Sequence, residues 1–488
     1  MAEKVVIYKK DEVHVVLKGE RSALREVYEH FSFQIPNARF NPKVKNRIWD
    51  GYIRLLNLRT GEFYIGLVPA LCKFLIKSGY EIDIDKDLNI FDTVTDETLD
   101  ELIETLEIPF EPRDYQYDAV KYCLENSRAT VLSPTGSGKS FIQFLIASYY
   151  RAKNLRTLLI VPTQNLVMQM EKDFVEYSKY HPVIQKIMGG ETKEIHPDAE
   201  VCVSTWQSIF RFDEEFFDQF DVIMIDEYHL ATASSIKAIM ENCTKAKYKF
   251  GFTGTLKETK TDKMVLIGLT GPVFEASTTK ELMDRDFISK LKIHPVLFSY
   301  SKEIVKAAGK LDYQKELSFL IGHEKRNQGI IDLILELKGN TLVLFERVEK
   351  HGQVLYDLLT KQTDRKVYFI HGGIDKDERE EVREIMEKNE GVIVVASSGV
   401  FSTGINIRKL NNLILASLGK SKIKVLQSIG RTLRLHDSKD YAHLYDLSDD
   451  LRGGKKRLNY SLRHFMSRME IYNDQGFVVE PVKVIQIE

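Results

Sequence analysis

From about residue 113 onward the hydrophobic positions gather in short unbroken runs, separated by longer stretches in which apolar residues recur every three or four positions. Ala129–Leu132, Thr157–Val161, Val201–Ser204, Val222–Ile225 and Tyr248–Phe252 are such runs. A strand that is apolar on both faces is buried on both, so runs alternating with helical patterns of about a dozen residues predict a parallel sheet with crossover helices. A charged region around Lys257–Lys292 reads as a connection. The pattern then resumes at Thr341–Phe345, Val367–Ile370, Val392–Ala396, Leu413–Ala416 and His443–Leu447. Two α/β domains in tandem are predicted, and they are not obvious repeats of each other.

The N-terminal stretch follows a different pattern. Val13–Lys18 alternates, and Ser22–Phe31 has the spacing of an amphipathic helix, which predicts a small α+β domain. An acidic, turn-prone segment follows, in which Leu99, Leu102, Ile103 and Leu106 fit a short helix bridging to Pro109 and Pro112. The expected division is 1–92 for the small domain, 93–112 for an acidic linker, 113–292 for the first α/β domain, and 293–488 for the second with a C-terminal helical tail.

Composition bounds this picture. With 488 residues, 43% of them hydrophobic, the chain can fill several cores. Cys72, Cys123, Cys202 and Cys243 stand singly, without the paired spacing of a zinc site or a disulfide framework, and point to a reducing, cytosolic setting. No stretch approaches the roughly 20 apolar residues of a membrane span, and the expectation is a soluble protein. A net charge of -2 gives no global argument for a polyanionic partner. One local cluster does: Arg39, Lys43, Lys45, Arg47, Arg54 and Arg59, interrupted only by Asp50. Charge alone leaves open whether it is a binding surface or a solvated face.

Candidate chemistry begins at Ser133-Pro-Thr-Gly-Ser-Gly-Lys-Ser140, which follows an apolar run and opens a helical pattern. In that setting backbone N–H groups from Thr135, Gly136, Ser137 and Gly138 onward can cradle phosphates. Lys139 would reach the outer phosphates of ATP, and the Ser140 hydroxyl would bind Mg2+. The general pattern has Gly where this chain has Ser133. Val222-Ile-Met-Ile-Asp226-Glu-Tyr-His229 supplies the complementary feature, carboxylates at the end of another buried strand. Asp226 is the candidate second magnesium ligand, and Glu227 would orient or deprotonate the attacking water.

The Asp-Glu-x-His box resembles that of the superfamily 2 helicases, and further segments arrive in that superfamily's order. Arg113-Asp-Tyr-Gln116 resembles its adenine-reading motif. Val161-Pro-Thr163-Gln-Asn-Leu166 and Ser204-Thr205-Trp-Gln207 resemble strand-contacting motifs, and Thr253-Gly-Thr255 stands at the coupling motif, where His229 would also act. Ser402-Thr403-Gly404-Ile-Asn406-Ile407 and Gln427-Ser-Ile-Gly-Arg431-Thr-Leu-Arg434 resemble the two late motifs. The resemblance implies two tandem RecA-like domains. It implies ATP contacts from Arg113, Gln116, Gly404 and Asn406, a catalytic contribution from Gln427, Arg431 and Arg434, and strand contacts from Thr163, Thr205, Gln207 and Thr403. Two departures, Asn406 for the usual Asp and Ser428 for the usual Arg, bear on ribose contacts and finger geometry rather than on hydrolysis itself.

The likeness extends along essentially the whole chain to a branch of that superfamily in T-even bacteriophages. It is carried further by Phe40–Leu56, Ala396–Gly404 and Ser421–Gln427. It implies a monomeric ATP-dependent DNA helicase acting on forks, four-way junctions, D-loops and RNA–DNA hybrids in the host cytoplasm. Lys43, Lys45 and Arg47 would then bind duplex arms, and Trp49 is expected in its domain's core. Arg452–Arg457 offers a further phosphate contact or a solvated turn. An RNA helicase, a duplex translocase that does not unwind, and a non-catalytic adaptor are the alternatives. The last conflicts with the presence of Lys139, Asp226, Glu227, Arg431 and Arg434 together.

Overall fold

The computed structural model describes residues 3–88, 91–189, 194–228, 233–255, 260–308, 311–400, 407, 409–417, 441–453 and 458–488. They form two compact units, the first containing Met1–Pro134 and Gly138–Ser277, the second Thr278–Glu488.

The first unit opens with strands β1 (Lys4–Lys9), β2 (His14–Lys18), β3 (Ser32–Gln34), β4 (Tyr52–Arg54), β5 (Glu62–Tyr64) and β6 (Glu81–Ile84). The order β5-β2-β1-β6 makes a four-stranded mixed sheet, while β3 and β4 pair separately. Val5, Ile7, Val15 and Leu17 point one way from β1 and β2 and are buried. Helices Arg21–His30 and Val68–Lys77 cover that face with Ala23, Val27, Leu71 and Leu75, as period-2 strands against period-3.6 helices require.

This small domain shares one hydrophobic core with the lobe that follows. A Cβ on Gly66 would lie 2.3 Å from the Ile267 carbonyl oxygen, so only glycine permits the approach. Tyr64 donates to Glu241 at 2.8 Å, and the Glu12 N–H donates to the Thr244 carbonyl at 2.9 Å. Arg128, 4% exposed, donates to the Glu12 carbonyl at 2.7 Å and to its carboxylate at 3.0 Å. Lys249, also buried, donates to the same carbonyl and to that of Cys243.

The segment expected as a linker holds the helix Asp96–Thr105, capped by Thr95. Its Leu99 and the following Leu106 are buried in the core of the first lobe, so the segment is part of that lobe's packing rather than a free tether.

The lobe's strands are β7 (Arg128–Leu132), β8 (Thr157–Val161), β9 (Ile184–Ile187), β10 (Val201–Thr205), β11 (Val222–Ile225), β12 (Tyr248–Thr253) and β13 (Val273–Glu275). They form a seven-stranded sheet in the order β13-β7-β12-β11-β8-β10-β9, with every pairing parallel. The region expected as a charged connection contributes a helix, Lys260–Thr270, and the edge strand β13.

The second unit contains β14 (Lys290–Tyr300), β15 (Thr341–Phe345), β16 (Val367–Ile370), β17 (Ile393–Ser397), β18 (Asn412–Leu415), β19 (Tyr441–Asp450), β20 (Val478–Val479) and β21 (Lys483–Ile487). They run β16-β17-β15-β18-β19-β14-β20 with β21 also on β14, again all parallel. Two buried ion pairs tie helices to β19: Arg326 to Asp449 at 2.6 Å and Arg468 to Asp446 at 2.6 Å. Each guanidinium makes a second bond to the same carboxylate, which offsets much of the cost of burying the charges.

Candidate active site

Strands β7, β11 and β12 end side by side at the carboxyl edge of the first lobe's sheet, where parallel sheets hold their ligands. The chain leaves β7 at Leu132, and the Ser133 N–H donates to the Thr253 carbonyl at the end of β12 at 3.0 Å. Gly136 and Gly138 take φ of 88° and 80°, the left-handed region, which lets the loop fold back before helix Lys139–Ala152 begins. Gly138 is constrained twice, because a Cβ there would also sit 2.4 Å from Gln116 Nε2. From Phe141 to Tyr150 the helix is buried throughout, so its N-terminus is anchored in the core with the first-turn N–H groups at the loop.

Lys139 lies across this loop, its ammonium 3.3 Å from the carbonyls of both Ser133 and Pro134 and 3.8 Å from a Glu227 carboxylate oxygen. One turn further along the helix, Gln143 donates to Asp226 Oδ1 at 3.1 Å. Asp226 is 6% exposed, and its N–H is fixed to the Ile160 carbonyl at 2.8 Å. Burial, and then the neighbouring charge of Glu227, push the Asp226 carboxyl up to about 7, against the opposing pull of Lys139 and Gln143. Glu227 adopts φ 45°, a left-handed conformation that costs a non-glycine residue about 1 kcal/mol or more. Tyr228 anchors the turn from below: it is fully buried, and its hydroxyl donates to the Leu266 carbonyl at 3.1 Å.

The Ser140 hydroxyl lies 2.6 Å from that of Tyr177. Thr253 closes a tight turn after β12, its hydroxyl donating to the Thr255 carbonyl at 2.8 Å and accepting from the Thr255 N–H at 3.3 Å. Arg113 and Gln116 form a capping box in which Gln116 Oε1 accepts from the Arg113 N–H at 3.0 Å. The expected adenine reader is thus locked onto its own helix start and packed against the phosphate loop.

At the neighbouring strand ends, Thr163 caps helix Gln164–Tyr177, and Gln207 donates to the Pro162 carbonyl at 3.2 Å. Thr205, buried, shares a hydrogen bond of 2.8 Å with Ser208. Lys43, Lys45 and Arg47 stand apart from all of this, exposed on the connection between β3 and β4. Trp49, expected in a core, is only half-buried there, its indole N–H donating to the Tyr52 carbonyl at 2.9 Å. His229, Thr403, Gly404, Asn406, Gln427, Arg431 and Arg434 lie outside the described residues. Gln143 and Tyr177 are neighbours of the site that the motifs did not point to. Gln143 carries a signal, the one polar residue in the run Phe141–Ala147, four positions after Lys139; Tyr177 carries none.

A phosphate loop beside an acidic strand end, on the first of two parallel-sheet lobes, is the framework of the superfamily 2 helicase motors. Residues 4–85 match the family model "DNA helicase UvsW, N-terminal", 109–258 that of the res subunit of type III restriction enzymes, and 325–436 the helicase conserved C-terminal domain. The ATP-dependent DNA helicase uvsW of Enterobacteria phage T4 is 38% identical over 485 residues, 95% of this chain and 96% of that protein. The crystal structure of T4 UvsW matches over 100% of both chains, at 36% identity and a TM-score of 0.52. More distantly, the DNA 3'-5' translocase XPB2 of Sulfurisphaera tokodaii is 25% identical over 72% of this chain and 85% of its own. The chain belongs to the UvsW family of ATP-dependent DNA helicases. Among its described residues no helix is long and apolar enough to cross a membrane.

Proposed function

We propose that this helicase remodels branched DNA, meaning forks, four-way junctions, D-loops and R-loops, during phage recombination, replication and repair in the host cytoplasm, and that it works as a monomer. The observation that carries the motor half of the proposal is the convergence of Lys139, Asp226 and Glu227 at adjoining strand ends, with Glu227 3.8 Å from Lys139. The substrate half is supported by the match of residues 4–85 to the N-terminal family model, within which Lys43, Lys45 and Arg47 fall.

In this reading ATP enters with its phosphates over the N–H groups of Thr135 to Ser140, and Lys139 exchanges the Ser133 and Pro134 carbonyls for phosphate oxygens. Arg113 and Gln116 sit at the loop's base to contact adenine. Glu227 takes a proton from water as its oxygen bonds the γ-phosphorus and the bond to ADP breaks. Two carboxylates facing one ammonium, with Asp226 already reluctant to ionise, suit a divalent cation. Asp226 and the Ser140 hydroxyl would hold Mg2+, which when bound neutralises charge on the outer phosphates. Gly404, Asn406, Gln427, Arg431 and Arg434 are proposed to complete the site from the second domain, the two arginines as charge-stabilising fingers. His229, Thr253 and Thr255 would pass the state of the phosphates to strand contacts at Thr163, Thr205, Gln207 and Thr403. Thr253 is suited to this, because its carbonyl already holds the first residue of the phosphate loop. The proposed functional division is 1–92, 93–112, 113–292 and 293–488, with 93–112 packed on the lobe that follows it.

The test is ATP hydrolysis and strand separation on a panel of fork, four-way-junction, R-loop, RNA-duplex and blunt-duplex substrates. Strong stimulation by branched DNA is expected. Equal activity on blunt duplex, or preference for RNA duplex, would replace this reading by the corresponding alternative.

A further inference from the structure

Hairpin strands are usually joined by two to five residues, but β3 and β4 are joined by the long excursion from Ile35 to Gly51. It has its own architecture. The Ile35 N–H donates to the Gly51 carbonyl at 2.9 Å and closes the base. Gly51 has φ 80°, and a Cβ there would lie 2.7 Å from that of Ala38, so the closure depends on glycine. A 3-10 turn, Ala38–Phe40, leads into a helical turn, Pro42–Lys45, capped by the Asn41 side chain. Beyond it the N–H groups of Ile48 and Trp49 both donate to the Lys43 carbonyl, at 2.8 and 3.2 Å. The excursion is therefore held by backbone bonds rather than by a core.

What it displays is unusual for a surface. Ile48 is 74% exposed, the highest value for a large hydrophobic side chain among the described residues, and Phe40 is 60% exposed. Lys43, Lys45 and Arg47, on the same short excursion, are exposed as well, and among the described residues none of the three forms an ion pair. The Arg39 guanidinium lies 4.8 Å from the centre of the Phe40 ring. Asp50, the acid within the excursion, is already bound by Arg54.

Protein-binding surfaces deplete lysine around their apolar centres. Apolar side chains set among unpaired cations instead suit a partner with an anionic backbone and apolar faces, which is the chemistry of nucleic acid. A continuous duplex hides its base faces, and inserting a side chain must first unstack them. At a branch point the terminal pair already has one face uncovered. An apolar side chain can cap that face without the unstacking cost, so the display favours branches over uniform duplex.

We propose that the Ile35–Gly51 excursion is the strand-separating element of this helicase: Phe40 and Ile48 cap the open base pair at a DNA branch point, while Lys43, Lys45 and Arg47 hold the flanking phosphates. This rests on the branched-DNA reading above and assigns the wedge that the motor motifs leave unidentified.

The test uses the full chain and three measurements on a synthetic fork: stimulated ATP hydrolysis, unwinding, and fluorescence of 2-aminopurine placed at the branch. Phe40→Ala/Ile48→Ala removes exposed groups only. It should lower unwinding at saturating DNA about tenfold and abolish the fluorescence rise seen with wild type, while hydrolysis stays within about twofold. Lys43→Ala/Lys45→Ala/Arg47→Ala should instead weaken binding and flatten its salt dependence by about 0.9 in log–log slope per lost phosphate contact. Wild-type unwinding by the Phe40/Ile48 variant would overturn the wedge while leaving the substrate reading intact. A wild-type protein that branched DNA does not stimulate would remove that reading, and the wedge with it.

Discussion

Replacing Asp226 by Asn separates what this carboxylate does for chemistry from what it costs the fold. Its pKa of about 7 lies above the ordinary 3.8, so the folded protein holds a proton that the unfolded chain releases between those values. Ionised Asp226 therefore destabilises the nucleotide-free protein, a cost absent below about pH 4 and complete above about pH 7. The distance from 3.8 to about 7, at about 1.36 kcal/mol per pH unit, sets a ceiling of about 4 kcal/mol. An amide in that place still accepts from Gln143, which donates at 3.1 Å, and carries no charge. In EDTA at pH 8.5, Asp226→Asn should melt higher than wild type, by roughly 2–4 °C for each kcal/mol recovered. At pH 5 the advantage should shrink to less than half, and hydrolysis should be lost at every pH. Thermal melts of both proteins across pH check this. A gap that does not change with pH, or a variant less stable than wild type at pH 8.5, would refute the electrostatic account of the site.

Three further outcomes are expected. Lys139→Ala should abolish ATP turnover and leave fork binding mostly intact, as read by phosphate release and by a binding titration, because the phosphate and strand grips use different surfaces. Gly138→Ala should weaken nucleotide binding and lower stability by about 2 kcal/mol, from the left-handed backbone and from displacing Gln116, as measured by calorimetry and melting. Glu12→Ala leaves the buried Arg128 without its carboxylate and should cost about 3 kcal/mol, seen as earlier melting and faster proteolysis within residues 1–92.

Much of the fold was legible because parallel strands buried on both faces leave an unmistakable pattern. Thr157–Val161, Val222–Ile225, Thr341–Phe345 and Val367–Ile370 have the same bounds in the chain's pattern and in the sheets. Strands that violate the pattern were not legible. β9 and β13 are short sheet edges, and β14 begins with Lys290 and Lys292, which fall at the end of the charged connection read over Lys257–Lys292. Its pairing with β19 and β21, distant in sequence, makes it a strand. At the site, the loop and the acidic box were visible because their chemistry fixes residue type and spacing. The Tyr177 contact and the left-handed Glu227 depend on tertiary geometry that no local pattern encodes. Trp49 went the other way: a large aromatic suggests a core, but the Ile35–Gly51 excursion has none to offer, and the indole settles on a backbone carbonyl.

The shared core beneath Gly66 has a consequence for how this helicase could be re-engineered or could have diversified. Domain shuffling works where a substrate-recognising module meets its engine through a tether, and the acidic stretch before Pro112 looks like a place to cut. A graft made there would carry away Glu12, Tyr64 and Gly66 but leave behind Arg128, Glu241, Thr244, Lys249 and Ile267, each shaped to receive them. The recipient motor would acquire an unmatched face, and the donor would be left with Arg128 and Lys249 stripped of the Glu12 groups that accept from them. On the proposed role of the Ile35–Gly51 excursion, new substrate preferences are therefore more accessible through changes within it than through exchange of the whole domain.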